Sequence, residues 1–137
     1  MNTTRIGDIG VAHTIARCME KNIPVYVPFS DNERADLIIL LNNKPVKIQV
    51  KTILQDKNGK SEFGIISTTS RIYNRKSVAH RYTYDEVDYF ILYNVKRNEL
   101  YMVPIEECFG KRCCTIRHEL TKNKQQKNIK MDKDYLF

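Results

Sequence analysis

No stretch of the 137-residue chain approaches the ~18 consecutive apolar residues that a membrane-spanning helix needs. The opening Met1-Asn-Thr-Thr-Arg5 also lacks the apolar segment of a secretory signal, so a cytoplasmic protein with no membrane association is expected. The sequence contains no internal repeat and no long proline, glycine or serine tract to divide it into modules. Cys18, Cys108, Cys113 and Cys114 form no CxxC pair, and the nearest histidine is His118, a spacing that argues against structural zinc. Reduced thiols are expected instead, with Cys18 in the apolar stripe of a helix and therefore in the core.

What is present suits one compact α/β domain over residues 1–137, with 42% hydrophobic residues to fill a modest core. The net charge is +7 and the pI near 9.3, with basic residues concentrated from Arg71 to Arg81 and again from Lys111 to Lys133. Uneven positive charge favours an anionic partner, and nucleic acid is the commonest intracellular polyanion. The plain alternative is a lysine-rich surface that only keeps the chain in solution.

Ile6, Ile9, Ile15, Ala16 and Met19 recur at helical spacing, which predicts an amphipathic helix ending near Asn22, ahead of Pro24. Ile23 to Phe29 reads as a strand whose prolines restrict it to a sheet edge or a strand end. Strands follow at Asp36 to Leu41 and Val46 to Ile53, with a third pairing strand at Phe63 to Thr68. Residues 70–85 are polar and basic, which predicts a long loop or short helix. Val87 to Val95 and Glu99 to Ile105 form a hairpin pattern. A short helix from Glu106 to Phe109, a last strand from Cys114 to Glu119 and a basic tail over residues 119–137 complete the chain.

Three polar residues interrupt the two central strands: Asp36 at the head of the first, and Gln49 and Lys51 on the second. Side chains at i and i+2 share a face of a strand, so Gln49 and Lys51 point together while Ile48 and Val50 point oppositely. A turn at Asn42-Asn-Lys44 would bring Asp36 across the hairpin to that pair. Hydrolysis of a phosphodiester needs an activated water, an oriented phosphate and stabilisation of developing charge, much of which magnesium supplies when held by carboxylate and carbonyl oxygens. Asp36 would anchor the cation, Gln49 would offer an amide oxygen and Val50 a backbone carbonyl. Lys51 would place a compact positive charge at the phosphate or the attacking water. The plain alternative is a solvated strand face carrying three unrelated polar groups.

With Gly7-Asp-Ile-Gly10 before the helix, Val25 to Pro28, Ala35-Asp36, Lys47-Ile-Gln-Val-Lys-Thr52, Val87-Asp-Tyr-Phe90, Leu100-Tyr-Met-Val-Pro104, Thr115-Ile-Arg117 and Thr121-Lys-Asn123 in order, the chain resembles the PD-(D/E)xK nuclease superfamily. The likeness is greatest to small intron-encoded homing endonucleases in which glutamine replaces the second acid. It implies a restriction-endonuclease-like core, a mixed central β-sheet flanked by helices. It also implies a metal-dependent endonuclease acting on double-stranded DNA, using Mg2+ with Mn2+ as an alternative, and a homodimer or homotetramer.

One position departs from that pattern. An acid commonly follows the glycine at the head of the first helix, but Gly10 is followed by Val11. Asp8, close to one helical turn earlier, is the candidate replacement ligand; Glu33 and Glu62 are less well spaced, and an acid near a helix start is also favoured by the helix dipole alone. His13 reads as a helix-surface or core residue. In the basic segment Arg71, Asn74, Arg75, Lys76 and Arg81 are candidate DNA contacts, with Lys122, Lys124 and Lys127 adding phosphate contacts from the tail. Two other functions stay open: a DNA-binding protein that keeps the nuclease fold without cleaving, and a structure-selective nuclease of the Holliday junction resolvase kind.

Overall fold

The computed structural model describes residues 2–54, 62–67, 69–73, 77–108, 113–118, 123 and 130–137. Helix α1 spans Thr3–Glu20 and begins three residues before the apolar stripe, because Asn2 caps it: its Oδ1 accepts the Arg5 N–H at 2.9 Å. Gly7-Asp-Ile-Gly10 therefore lies inside the helix and not before it. The helix closes with Asn22 at φ 56°, its N–H on Met19 O at 3.1 Å and the Ile23 N–H on Cys18 O at 2.8 Å. This is a Schellman closure with asparagine in the left-handed position.

Strand β1 is only Val25–Tyr26, much shorter than the predicted Ile23 to Phe29; Pro24 and Pro28, which cannot donate to a ladder, bracket it. Strands β2 (Leu37–Leu41) and β3 (Lys44–Ile53) form an antiparallel hairpin running from Leu41↔Lys44 to Leu37↔Ile48. Asn42 and Asn43 make the turn at φ 51° and 63°, the pair of positive φ values that a two-residue hairpin loop demands and asparagine tolerates.

Beyond β3 the chain forms β4 (Glu62–Ser67), β5 (Thr69–Tyr73), β6 (Ser77–Arg81), β7 (Tyr89–Asn94), β8 (Glu99–Pro104), α2 (Ile105–Cys108), β9 (Cys113–Arg117) and β10 (Lys130–Met131). The main sheet has the order β1-β2-β3-β7-β8, with β3 and β7 parallel and its other pairs antiparallel. It is the mixed sheet the resemblance implied.

Two expectations are corrected. Strand β4 does not extend the central sheet but pairs with β9, next to β10. Residues 69–73 and 77–81 are not a loop or short helix but the paired antiparallel strands β5 and β6, their outer register Thr69↔Arg81. Neither pairing carried a local signal. The strands β5 and β6 lack a clean apolar alternation, and β4 finds its partner 46 to 55 positions along the chain.

The alternation of β3 divides the interior. Ile48 and Val50 pack on the α1 side with Cys18, Leu37 and Ile91, whereas Phe90, Leu92 and Tyr82 build a separate cluster on the opposite side. Gln49 and Lys51 lie on that second side. The chain's end docks rather than trailing: the Phe137 N–H donates to Leu100 O at 2.9 Å, and Arg17 Nη1 donates to Phe137 O at 2.7 Å. Among the described residues no helix is long and apolar enough to cross a membrane.

Gly10 sets how closely α1 approaches β3. A Cβ there would stand 2.0 Å from Thr52 Oγ1 and 3.1 Å from Val50 Cγ1. Gly10→Ala should therefore destabilise the protein by about 1–3 kcal/mol in chemical denaturation, despite alanine's better helix propensity. Equal or higher stability would mean that α1 can move away from the sheet at no cost.

Candidate active site

The ladder between β2 and β3 ends at Leu37↔Ile48, and there the two strands hand over to side chains. The Asp36 N–H donates to Ile48 O at 2.8 Å, which fixes the residue at the mouth of the hairpin. Its carboxylate Oδ2 accepts the Val50 N–H at 2.8 Å and the Gln49 Nε2–H at 2.7 Å. The same Gln49 nitrogen lies 3.3 Å from Val50 O. A carboxylate oxygen and a backbone carbonyl thus converge on one point, and an amide NH2 stands between them.

The predicted meeting of Asp36 with Gln49 is present, but the amide presents its nitrogen where an oxygen was expected. A carboxylate only accepts hydrogen bonds, so without a cation its neighbour has to be a donor. Turning the amide about its last bond exchanges Nε2 for Oε1 at the same place. Asp36 Oδ2, Val50 O and Gln49 Oε1 would then form an all-oxygen set, the chemistry that suits Mg2+ or Mn2+. Among the described residues no three His, Cys, Asp or Glu side chains gather as a metal cluster, so a cation here would depend on the Asp36 carboxylate together with the two neutral oxygens.

Burial pushes the Asp36 carboxyl above its usual range. The Val50 N–H and the Lys51 charge oppose this, and the charge of Asp8 reinforces it. Asp8, exposed on α1, is thereby the helix acid within electrostatic reach of Asp36. Val11 is half-buried against the cluster on the α1 side and belongs to the core. His13 stacks on Tyr93 at 4.2 Å between ring centroids, on the α1 side of the sheet and away from Gln49.

Lys51 extends on the Gln49 face to Tyr82, whose hydroxyl accepts its Nζ–H at 3.2 Å. Tyr82 is buried, and neither it nor the nearby Arg34 was singled out in the sequence. A strand-forming aromatic next to Arg81 was the available signal, but its partner lies 31 positions away. Of the candidate DNA contacts, Arg71 sits on β5 opposite Ala79, and Arg81 is exposed at the end of β6. Asn74, Arg75, Lys76, Lys122, Lys124 and Lys127 lie outside the described residues.

The profile of the family described as PD-(D/E)XK endonuclease matches residues 1–137, the whole chain. The chain belongs to that family. Members of the PD-(D/E)XK family generally use divalent metal ions, in keeping with the oxygen set around Asp36. The fold is similar to that of a bacterial homing endonuclease, I-Ssp6803I, with a TM-score of 0.77 over 99% of this chain and 89% of that one, at 22% identity. No curated protein matches the sequence. In this PD-(D/E)XK chain the glutamine of the Gln49-Val-Lys51 run stands where the family's name places an acid, which leaves Asp36 as the carboxylate at the convergence point.

Proposed function

We propose that this PD-(D/E)XK chain is a metal-dependent endonuclease that hydrolyses phosphodiester bonds of double-stranded DNA, in the site-specific manner of a homing enzyme. The observation that carries this reading is the convergence of Asp36 Oδ2 and Val50 O on the Gln49 amide at the open end of the β2–β3 ladder, with Lys51 on the same face. Family membership supports a nuclease, and the fold shared with a homing endonuclease supports DNA as substrate.

Asp36, Gln49 and Val50 would hold Mg2+ or Mn2+, with Asp8 adding negative charge from α1. When bound, that cation supplies charge stabilisation at the phosphate and makes a water acidic enough to attack. Lys51 directs its ammonium at the charge that develops on the phosphate oxygens in the transition state. Arg71 on β5 and Arg81 on β6 contact the duplex, Asn74, Arg75 and Lys76 add further contacts, and Lys122 and Lys124 neutralise further phosphates. One catalytic site per chain and two strands to cut call for a homodimer or homotetramer.

A second reading, DNA binding without cleavage, is favoured by Val11, which occupies the expected acid's place and faces the core. The two separate when the purified chain is mixed with a randomised duplex library and a four-way junction in Mg2+, in Mn2+ and in EDTA. Cut linear duplexes with shared end sequences, lost in EDTA, are the expected result. Binding with no cleavage in either metal supports the second reading, and preferential junction cutting supports a resolvase.

A further inference from the structure

Lysine carries its charge on a long, freely rotating stem, so a lysine that must meet a phosphate at one point needs something to hold its ammonium there. We propose that Tyr82 is that positioning residue: it seats Lys51 through its hydroxyl and its ring, and it joins the lysine to the base of the β5–β6 hairpin. This rests on the role given to Lys51 in the proposed function.

The Tyr82 hydroxyl accepts the Lys51 Nζ–H at 3.2 Å, and the same nitrogen lies 4.9 Å from the ring centroid. Tyr82 is itself held firmly. It is 6% exposed, and its ring meets Phe90 edge-on at 5.4 Å and 83°. The Arg34 guanidinium carbon lies 4.2 Å from its centroid. Arg34 in turn pairs with Glu86 at 3.0 Å, and the other oxygen of Glu86 accepts the Thr83 N–H at 3.1 Å and the Thr83 hydroxyl at 3.0 Å.

A buried ring fixed by these contacts offers a flexible cation one acceptor in one place. Its position in the chain is equally telling. Tyr82 follows Arg81, the last residue of β6, and Arg34 stands two residues before Asp36. The aromatic seat therefore links three parts of the site: the basic hairpin, the approach to the carboxylate, and the lysine.

Tyr82→Phe tests the seat, because phenylalanine keeps the ring, its packing on Phe90 and its place beside Arg34, and removes only the acceptor. Single-turnover cleavage of a duplex selected from the randomised library should slow by about 10- to 100-fold, the range for losing one hydrogen bond to a charged group. KM for that duplex should stay unchanged, and the variant should stay folded with its melting temperature only slightly lowered. In lysine labelled at Cε, the Lys51 methylene should lose order in Tyr82→Phe relative to the parent chain. An unchanged rate, or unchanged Lys51 order, would overturn the proposal. Lys51→Ala separates this from the underlying reading: cleavage at the parent rate defeats the role of Lys51 in the nuclease, whereas the order of Lys51 reports on the seat even in a chain that does not cleave.

Discussion

Asp36→Asn should cut cleavage by about 10³-fold or more while making the protein more stable at neutral pH. A bound cation supplies several kcal/mol of transition-state stabilisation, and each ~1.4 kcal/mol is tenfold in rate, so losing the carboxylate at the convergence point removes about three orders of magnitude. The gain in stability follows from the same burial. Folding raises the Asp36 carboxyl above its ordinary value of 3.8, chiefly by desolvation. The folded chain thus binds this proton more tightly than the unfolded chain does.

With the folded-state value raised, the parent loses stability as pH climbs from 3.8 through that raised value, and the deficit persists above it. Asparagine carries no such penalty, and its Oδ1 in the place of Oδ2 can still accept both the Val50 N–H and the Gln49 Nε2–H. Without divalent ions, Asp36→Asn should gain about 1 kcal/mol at pH 8. That corresponds to roughly 4 °C in Tm. The advantage should vanish below pH 3.8. Added Mg2+ should raise the Tm of the parent and leave that of the variant unmoved, since only a state that binds the ion is stabilised by it. Cleavage at the parent rate, or an equal response to Mg2+, would remove Asp36 from the metal site.

Where sequence reading succeeded, the information was local. The Asn42-Asn43 pair announces a tight turn because both positions require positive φ, and period-two spacing puts Gln49 and Lys51 on one face. Together these align Asp36 with Gln49. What stayed hidden was non-local. The parallel pairing of β3 with β7 and the pairing of β4 with β9 join segments with no shared local signal, and the Tyr82 seat depends on that assembly. The early start of α1 was legible in principle from Asn2, an N-cap residue ahead of the apolar stripe. The orientation of the Gln49 amide was not, because it follows from whether a donor or a cation faces Asp36.

Gln49→Glu should turn that orientation into a metal-dependent stability switch. In the parent, the Gln49 Nε2–H donates a hydrogen bond to Asp36 Oδ2 at 2.7 Å. A glutamate there would set a second carboxylate at hydrogen-bond distance from the first, and like charges so close cannot both ionise at neutral pH without a large cost. In EDTA at pH 8 the variant should lose about 2 kcal/mol of stability. The pair should then titrate together, recovering part of the loss as pH falls and one shared proton bridges the oxygens. Mg2+ should reverse the defect, because two carboxylates and Val50 O make a site of higher charge than the parent's and dication affinity follows ligand charge. At free Mg2+ a hundred times its Kd, linkage alone returns about 2.7 kcal/mol, enough to bring the variant level with the ion-free parent. Calorimetric melts with and without Mg2+, alongside direct titration, measure both halves. If Gln49→Glu melts like the parent in EDTA and binds Mg2+ no more tightly, then position 49 does not face the cation, and the oxygen set proposed around Asp36 is wrong.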